Sequence, residues 1–323
     1  MEQAGHKCLG YVECDPRCEK CKKFTKHKPS KKHNYTICME CGKEKRQHAR
    51  FSYESIHNAK GEWTAYDITT VTNDDLRLLR GQVDVICGGF PCQAFSIAGK
   101  RLGFAETRGT LFFEIARFAK EIQPRYLFLE NVKGLLSHEK GNTFATILST
   151  LDELGYDAEW QTFNSKDIGE IPVPQKRERT FIIGHSRRYS RHEIFPIRTR
   201  ETEVFVPCLK SENTLLIREN TKKGFVIAQP GDGLRLDHPN STTGRGRIQK
   251  QLAPTLTTAC NVGVILDDLS IRKITSREAW RIQGFPDWAY DRAKEVNSEV
   301  QLYKQAGNSV SIPVIYEIAK RLV

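Results

Sequence analysis

No run of residues in this chain approaches the roughly 20 consecutive apolar positions of a membrane-spanning helix, so no such span is expected. The opening Met1-Glu2-Gln3-Ala4-Gly5 lacks the basic-then-apolar profile of a secretory signal. Without one, the ten cysteines read as reduced thiols suited to metal ligation or catalysis, not as a disulfide framework. Internal repeats and low-complexity tracts are also missing, which sets aside solenoids and disordered arrays. Acidic residues are in deficit: 39 Asp and Glu face 50 Lys and Arg, giving a formal charge of +11. That balance favours a polyanionic partner. With 323 residues the chain can bury a large core, and its length fits one large lobe plus a smaller one.

Two short apolar runs, Asp84-Val85-Ile86-Cys87-Gly88 and Tyr126-Leu127-Phe128-Leu129-Glu130, read as buried parallel strands. Between them Leu111, Phe112, Ile115, Phe118 and Ala119 fall at three- and four-residue spacing, which predicts a helix over 109–121. A second helix is predicted over 143–154 from Phe144, Ile147, Leu148 and Leu151, and a further strand over 180–184. The alternation predicts an α/β, doubly wound, mainly parallel Rossmann-like sheet. From about 187 to 270 the chain turns polar and rich in turn signals, which marks a smaller second lobe. Residues 271–323 regain helical spacing and are expected to rejoin the first lobe, 1–186, which is interrupted by an insert at 14–48.

That insert carries two CxxC pairs, Cys18-Glu19-Lys20-Cys21 and Cys38-Met39-Glu40-Cys41, at a spacing suited to a tetrahedral four-thiolate zinc site. The lysine-rich stretch between them is too polar to fold by burial, so the metal is expected to hold it together. Cys14 and His33 are secondary candidates. The lysines suit phosphate contact and equally suit a solvated decoration.

The chemical centre follows the first strand, at Gly88-Gly89-Phe90-Pro91-Cys92-Gln93-Ala94-Phe95-Ser96. A thiol at the carboxyl end of a parallel strand stands where α/β sheets hold ligands. Glycines permit close approach of another molecule and proline restrains the backbone, so Cys92 reads as presented, with an ordinary buried cysteine as the alternative. This stretch resembles the Pro-Cys motif of the DNA cytosine-5 methyltransferases. Further segments match that family in the same order: Arg108-Gly109-Thr110-Leu111-Phe112, Glu130-Asn131-Val132, Gln175-Lys176-Arg177-Glu178-Arg179, Arg281-Ile282-Gln283-Gly284-Phe285-Pro286 and Gln305-Ala306-Gly307-Asn308-Ser309-Val310. The resemblance spans nearly the whole chain outside the cysteine insert.

Cytosine C5 is a poor nucleophile until a thiolate adds at C6, and the resemblance assigns that attack to Cys92. It implies that Glu130 carries a proton and hydrogen-bonds the ring N3 and exocyclic amine, while Arg179 and Arg177 contact O2 and the neighbouring backbone. A surface ion-pair cluster with Glu178 is the alternative for the two arginines. A stacked base is out of reach, so the target must be flipped out of the duplex. Residues 96–108 resemble the family's mobile loop that closes over it. The implied methyl donor is S-adenosylmethionine. By resemblance Glu13 binds its ribose and Asp67 its adenine amine, with Ile68 beside them, Phe90 and Leu111 at its body, and Asn308 and Ser309 at its methionine end.

The family also opens with a strand and a Phe-x-Gly-x-Gly-Gly turn, a motif this chain lacks. The resemblance places that first strand directly upstream of Met1, so a start further upstream is expected, with residues 1–10 reading as the helix and turn that follow. Cys14 departs from the family's bulky apolar residue beside the adenine. Residues 187–270 fall at the family's target recognition domain, where Gly244-Arg245-Gly246-Arg247 can carry arginine to guanine edges or to phosphates. The expectation is therefore a monomeric, cytoplasmic, DNA-associated enzyme of restriction-modification type acting on double-stranded DNA, with a cognate restriction endonuclease as partner. The alternatives are a catalytically impaired DNA-binding protein and a tRNA cytosine-5 methyltransferase.

Overall fold

The computed structural model describes residues 1–13, 27–91, 111–199, 214–237, 245–259 and 261–322. Cys14, Cys18, Cys21, Cys92 and the loop at 96–108 lie outside the described residues. Strand β1 (Gly10–Val12) precedes a small antiparallel sheet of β2 (His27–Pro29), β3 (Tyr35–Cys38) and β4 (Glu44–Arg46). Helix α1 (His48–Ile56) then leads to β5 (Trp63–Ala65), which pairs in parallel with β1. After α2 (Asn73–Leu78) the chain runs through β6 (Val85–Gly89), α3 (Leu111–Ile122), β7 (Tyr126–Val132), α4 (Asn142–Glu153), β8 (Tyr156–Asn164) and β9 (Glu178–Ser186). These four strands form one sheet in the order β6-β7-β9-β8.

The second region holds β10 (Leu215–Arg218) paired with β11 (Phe225–Ala228). Beside them β12 (Gly233–Arg235), β13 (Ile248–Gln249), β14 (Val262–Ile265) and β15 (Ile271–Lys273) form a four-stranded sheet. The chain closes with α5 (Ser276–Ile282), α6 (Asp287–Val296), α7 (Glu299–Asn308) and α8 (Ile312–Ala319). A reciprocal cap between Thr275 and Glu278 starts α5.

The layering follows from the pleat of β7, whose side chains alternate between two buried faces. Leu127 and Leu129 enter a core with Phe112 and Ile115 of α3 and with Phe144, Ile147 and Leu151 of α4. Tyr126 and Phe128 enter the opposite core, where Phe181 and Ile183 of β9 meet Val314 and Ile318 of α8. Helices thus cover both faces, as a doubly wound sheet requires, and the chain's end does rejoin this layer.

Three expectations need correction. The sheet is mixed, not mainly parallel: β6 and β7 run parallel, whereas β9 is antiparallel to both β7 and β8. The link from β8 to β9 contains a single 3-10 turn, Ser165–Asp167, and no crossover helix to restore a parallel direction. The expected single sheet is divided, because no described strand joins β1 to β6. Instead Val12, Trp63, Ala65 and Ile68 pack beside Ile86 around Leu76 and Phe118. Finally, the stretch expected to be irregular contains five short strands among its described residues, β10 to β14, with β15 just beyond position 270. Ala228, Leu234, Ile248 and Ile265 give it a core of its own. Runs of two to four residues are too short to show a period of two above the surrounding turn signals.

In that region Glu219 accepts hydrogen bonds from the backbone N–H groups of Gly246 and Arg247, at 2.6 and 3.2 Å. Arg247 is buried and donates from Nη1 to the Arg218 carbonyl at 3.0 Å, whereas Arg245 is exposed. Of the two arginines read from the motif, Arg247 is committed inward.

Candidate active site

Register places the two charged groups of the site. Glu130 lies opposite Phe181 across the β7–β9 ladder and Arg179 opposite Val132. Glu130 and Arg179 are therefore diagonal neighbours on one face, within reach of long side chains. Arg179 Nε stands 2.8 Å from Glu130 Oε1 with both side chains about one-fifth exposed. On the other side of β7, Gly89 is the register partner of Glu130, and a Cβ there would sit 3.3 Å from Glu130 Oε2. Glycine at the end of β6 thus keeps the carboxyl group clear.

Asn131, next along β7, points the other way and is buried. Its Nδ2 donates to the Phe90 carbonyl at 2.7 Å, and its Oδ1 accepts from the Val132 N–H at 2.8 Å. The turn that leads into Cys92 is thereby tied to the strand that carries Glu130. A cavity opens there, lined by Phe90, Pro91, Glu130, Asn131, Val132, Arg177, Arg179, Gly307 and Asn308. Cys92 follows Pro91 directly and lies outside the described residues.

The two arginines of the Gln175-to-Arg179 segment differ in their partners. Arg177 is buried and donates to three backbone carbonyls: Leu256 at 3.2 Å, Gly307 at 3.4 Å and Ser309 at 2.8 Å. It joins the start of β9 to the end of α7 and to the chain entering the last lobe. Burial, reinforced by the charge of Arg179 and partly offset by Glu130, pushes its guanidinium down to about 10, still protonated at neutral pH. Arg179 faces the cavity, and its carboxylate partner is Glu130, while Glu178 pairs with Lys133 at 2.9 Å. The alternative of an arginine cluster on Glu178 is thus not what the side chains form. Gly307 is demanded by contact, since a Cβ there would lie 2.3 Å from the Thr257 carbonyl carbon.

The candidate cofactor residues fall into two groups. Phe90 and Asn308 line the cavity with Glu130. Ser309 is adjacent, its hydroxyl donating to the Ala306 carbonyl at 2.9 Å and its own carbonyl held by Arg177. Glu13 and Asp67 lie instead just past the carboxyl ends of the parallel pair β1–β5, where the Glu13 N–H reaches the Ala65 carbonyl at 3.4 Å. Asp67 Oδ1 accepts from the N–H and hydroxyl of Thr69, at 2.9 and 2.7 Å. Ile68 bridges the groups, packing against the core that contains Phe90 and Phe112 and against the core that Val12 and Ala65 also flank. Leu111 is 43% exposed at the first position of α3.

Cys38 is buried at the end of β3, and Cys41 follows in the turn closed by the Gly42 N–H on the Cys38 carbonyl at 2.9 Å. Gly42 has φ +68°, a left-handed value that suits glycine. Among the described residues no group of three or more His, Cys, Asp or Glu side chains is arranged to hold a metal ion, and Cys18 and Cys21 lie outside them. His33 contacts Glu54 at 2.6 Å. The residues that reading by motif missed are Asn131, Gly89 and Gly307. All three stand inside segments already singled out, but only the fold shows what they touch.

A two-faced α/β sheet with an acid, a guanidinium and the Phe90-Pro91 segment gathered at its strand ends defines an enzyme of the α/β methyltransferase fold. Residues 29–323 match the family model described as C-5 cytosine-specific DNA methylase, and the chain belongs to that family. It is 37% identical to the type II methyltransferase M.SsoII of Shigella sonnei over 289 residues, which is 85% of this chain and 72% of that protein. It is 33% identical to M.HhaI of Haemophilus parahaemolyticus over 291 residues, 84% of each. In fold it is similar to a DNA modification methyltransferase encoded within an E. coli prophage, with a TM-score of 0.51 and 20% identity, covering 85% of this chain and 89% of that one. The Entamoeba histolytica methyltransferase EhMeth matches over 98% of each chain, with a TM-score of 0.50 and 16% identity.

Proposed function

We propose that this protein transfers a methyl group from S-adenosylmethionine to C5 of a cytosine flipped out of a specific double-stranded DNA sequence, with Cys92 as the nucleophile. The observation that carries the reading is that Pro91, Glu130 and Arg179 line one cavity, so the residue preceding the thiol meets an acid and a guanidinium. Cys92 adds through sulfur to C6. Glu130, carrying a proton and released from Arg179, donates to N3 and takes the exocyclic amine, and Arg179 turns to O2. Arg177 holds the frame of the cavity through its three carbonyls. S-adenosylmethionine, when bound, supplies a methyl carbon made electrophilic by its sulfonium. C5, electron-rich after the addition, would take that methyl group with S-adenosylhomocysteine as the leaving group, and loss of the C5 proton to solvent water would let the Cys92 sulfur leave as thiolate. Glu13 and Asp67 take the ribose and adenine, with Ile68, Phe90 and Leu111 along the cofactor's body and Asn308 and Ser309 at its methionine end.

The lobe at 187–270 reads the target sequence, with exposed Arg245 rather than Arg247 offered to DNA. Cys18, Cys21, Cys38 and Cys41 hold a structural zinc; the buried thiol and tight turn at Cys38 and Cys41 fit half of a four-thiolate site. Its relatives carry the name type II methyltransferase, and in our reading the protein works as a monomer on cytoplasmic DNA, opposite a cognate restriction endonuclease. Cys92→Ser tests the central reading: transfer of labelled methyl groups to duplex DNA falls by a thousandfold or more, on the order expected for removal of a nucleophile, while DNA affinity is kept. Turnover that survives the substitution rejects the assignment.

A further inference from the structure

Arg50 of α1 is 2% exposed, and no carboxylate among the described residues pairs with it. Its guanidinium lies between two aromatic rings, 4.7 Å from the centroid of Tyr11 and 4.1 Å from that of Tyr66. Nε donates to Asn34 Oδ1 at 3.1 Å, and Nη1 donates to the Ala65 carbonyl at 2.9 Å. That carbonyl is the one the Glu13 N–H also reaches. Tyr66 links Ala65 to Asp67, and its hydroxyl accepts the Asn34 N–H at 3.2 Å. One buried cation therefore fixes the backbone just before both acidic residues at the carboxyl edge of β1 and β5.

The other half of this clamp belongs to the cysteine-bearing hairpin. Asn34 sits at φ +56° in the turn before β3, is fully buried, and takes the Gln47 N–H on its carbonyl at 2.8 Å. Its Nδ2 donates to Glu54 Oε2 at 2.7 Å, and Glu54 Oε1 accepts from the Tyr11 hydroxyl at 3.0 Å. Among the described residues, these side chains link the hairpin to the backbone beside Glu13 and Asp67. Such a closed network of buried polar groups holds one geometry and is costly to leave half-satisfied.

We propose that Arg50 is a positioning residue for the cofactor's adenosine end, through which the hairpin bearing Cys38 sets the affinity for S-adenosylmethionine. This rests on the reading of Glu13 and Asp67 given above. The full-length protein is titrated separately with S-adenosylmethionine and with duplex DNA. Arg50→Met keeps the bulk but removes the donors. It is expected to weaken S-adenosylmethionine tenfold or more and to raise its KM with kcat kept at saturation, leaving DNA affinity within twofold. Arg50→Lys, which retains charge between the rings without the fork, falls between. Asp67→Ala serves as the control for the underlying reading. Unchanged affinity in Arg50→Met beside a tenfold loss in Asp67→Ala overturns the proposal alone; unchanged affinity in both removes the adenosine reading and the proposal with it. An equal loss of DNA affinity marks a global defect and overturns the role. Should Arg50→Met not fold, Asn34→Gly, which tolerates the left-handed backbone, is expected to weaken the cofactor three- to tenfold, and wild-type affinity there is equally decisive against it.

Discussion

The cavity at the ends of β6, β7 and β9 and the hairpin of β2, β3 and β4 are held by different chemistry. Around the cavity, position comes from register in a sheet whose two faces are packed by Leu127, Leu129, Phe128 and Phe181. The charged groups of the cavity stand at the strand ends. In the hairpin the interior is itself polar: His27, Asn34, Thr36, Gln47 and Arg50 are all nearly inaccessible. Gln47 Nε2 meets Thr36 Oγ1 at 2.6 Å and the His27 ring meets the same oxygen at 3.0 Å. Apolar packing is tolerant and spread over many contacts, whereas a hydrogen-bond network loses its geometry when one member is removed. Reactive groups that must shift when substrate arrives thus stand on the tolerant scaffold, and a module that must keep one shape is built from the intolerant one.

The contrast predicts where damage spreads. Glu130→Gln leaves the scaffold intact and slows methyl transfer by roughly a hundred- to ten-thousandfold, read as kcat with DNA affinity kept. A loss below tenfold breaks the distinction between a reactive group and its frame. Arg177→Ala and Arg179→Ala should separate in the opposite sense. The first removes a buried guanidinium that donates to three backbone carbonyls and lowers stability by roughly 3 kcal/mol in urea unfolding. The second costs under about 1 kcal/mol while reducing kcat, because Arg179 is partly solvated beside the cavity. The smallest effect on turnover comes from Cys38→Ser, which is expected to abolish bound zinc by atomic absorption and to raise amide exchange across 27–46. It should leave exchange in β7 and β9 unchanged and kcat at saturating cofactor within about threefold. Exchange that rises equally in both regions merges what the comparison separates.

The same contrast explains what could be read in advance. Strands β6 and β7 and helices α3 and α4 fell within a few residues of their expected bounds, because burial on two faces or one stripe imposes an apolar period. Strand β8 carries Asp157, Glu159, Trp160 and Gln161 in mostly half-buried positions, so its pattern is masked, and the strand was missed. The polar hairpin read as a loop that only metal could fold, since a closed hydrogen-bond network leaves no periodic trace. In the site, motif order brought Cys92, Glu130 and Arg179 to attention, but the 2.8 Å approach of Arg179 to Glu130 depends on an antiparallel register that spacing does not encode. The division of labour between Arg177 and Arg179 was likewise invisible, because it turns on which of two similar side chains points inward.

The bond between the Cys92 sulfur and cytosine C6 is tested most directly by trapping it. Duplex DNA carrying 5-fluorocytosine at the target position cannot lose its C5 substituent as a proton, so the sulfur bond at C6 persists after methyl transfer. Incubation of the full-length protein with this DNA and S-adenosylmethionine, followed by proteolysis and mass spectrometry, is predicted to place one nucleotide adduct on the peptide containing Cys92 and none in Glu130→Gln on the same timescale. An adduct on another cysteine, or none from a protein that methylates ordinary DNA, contradicts it.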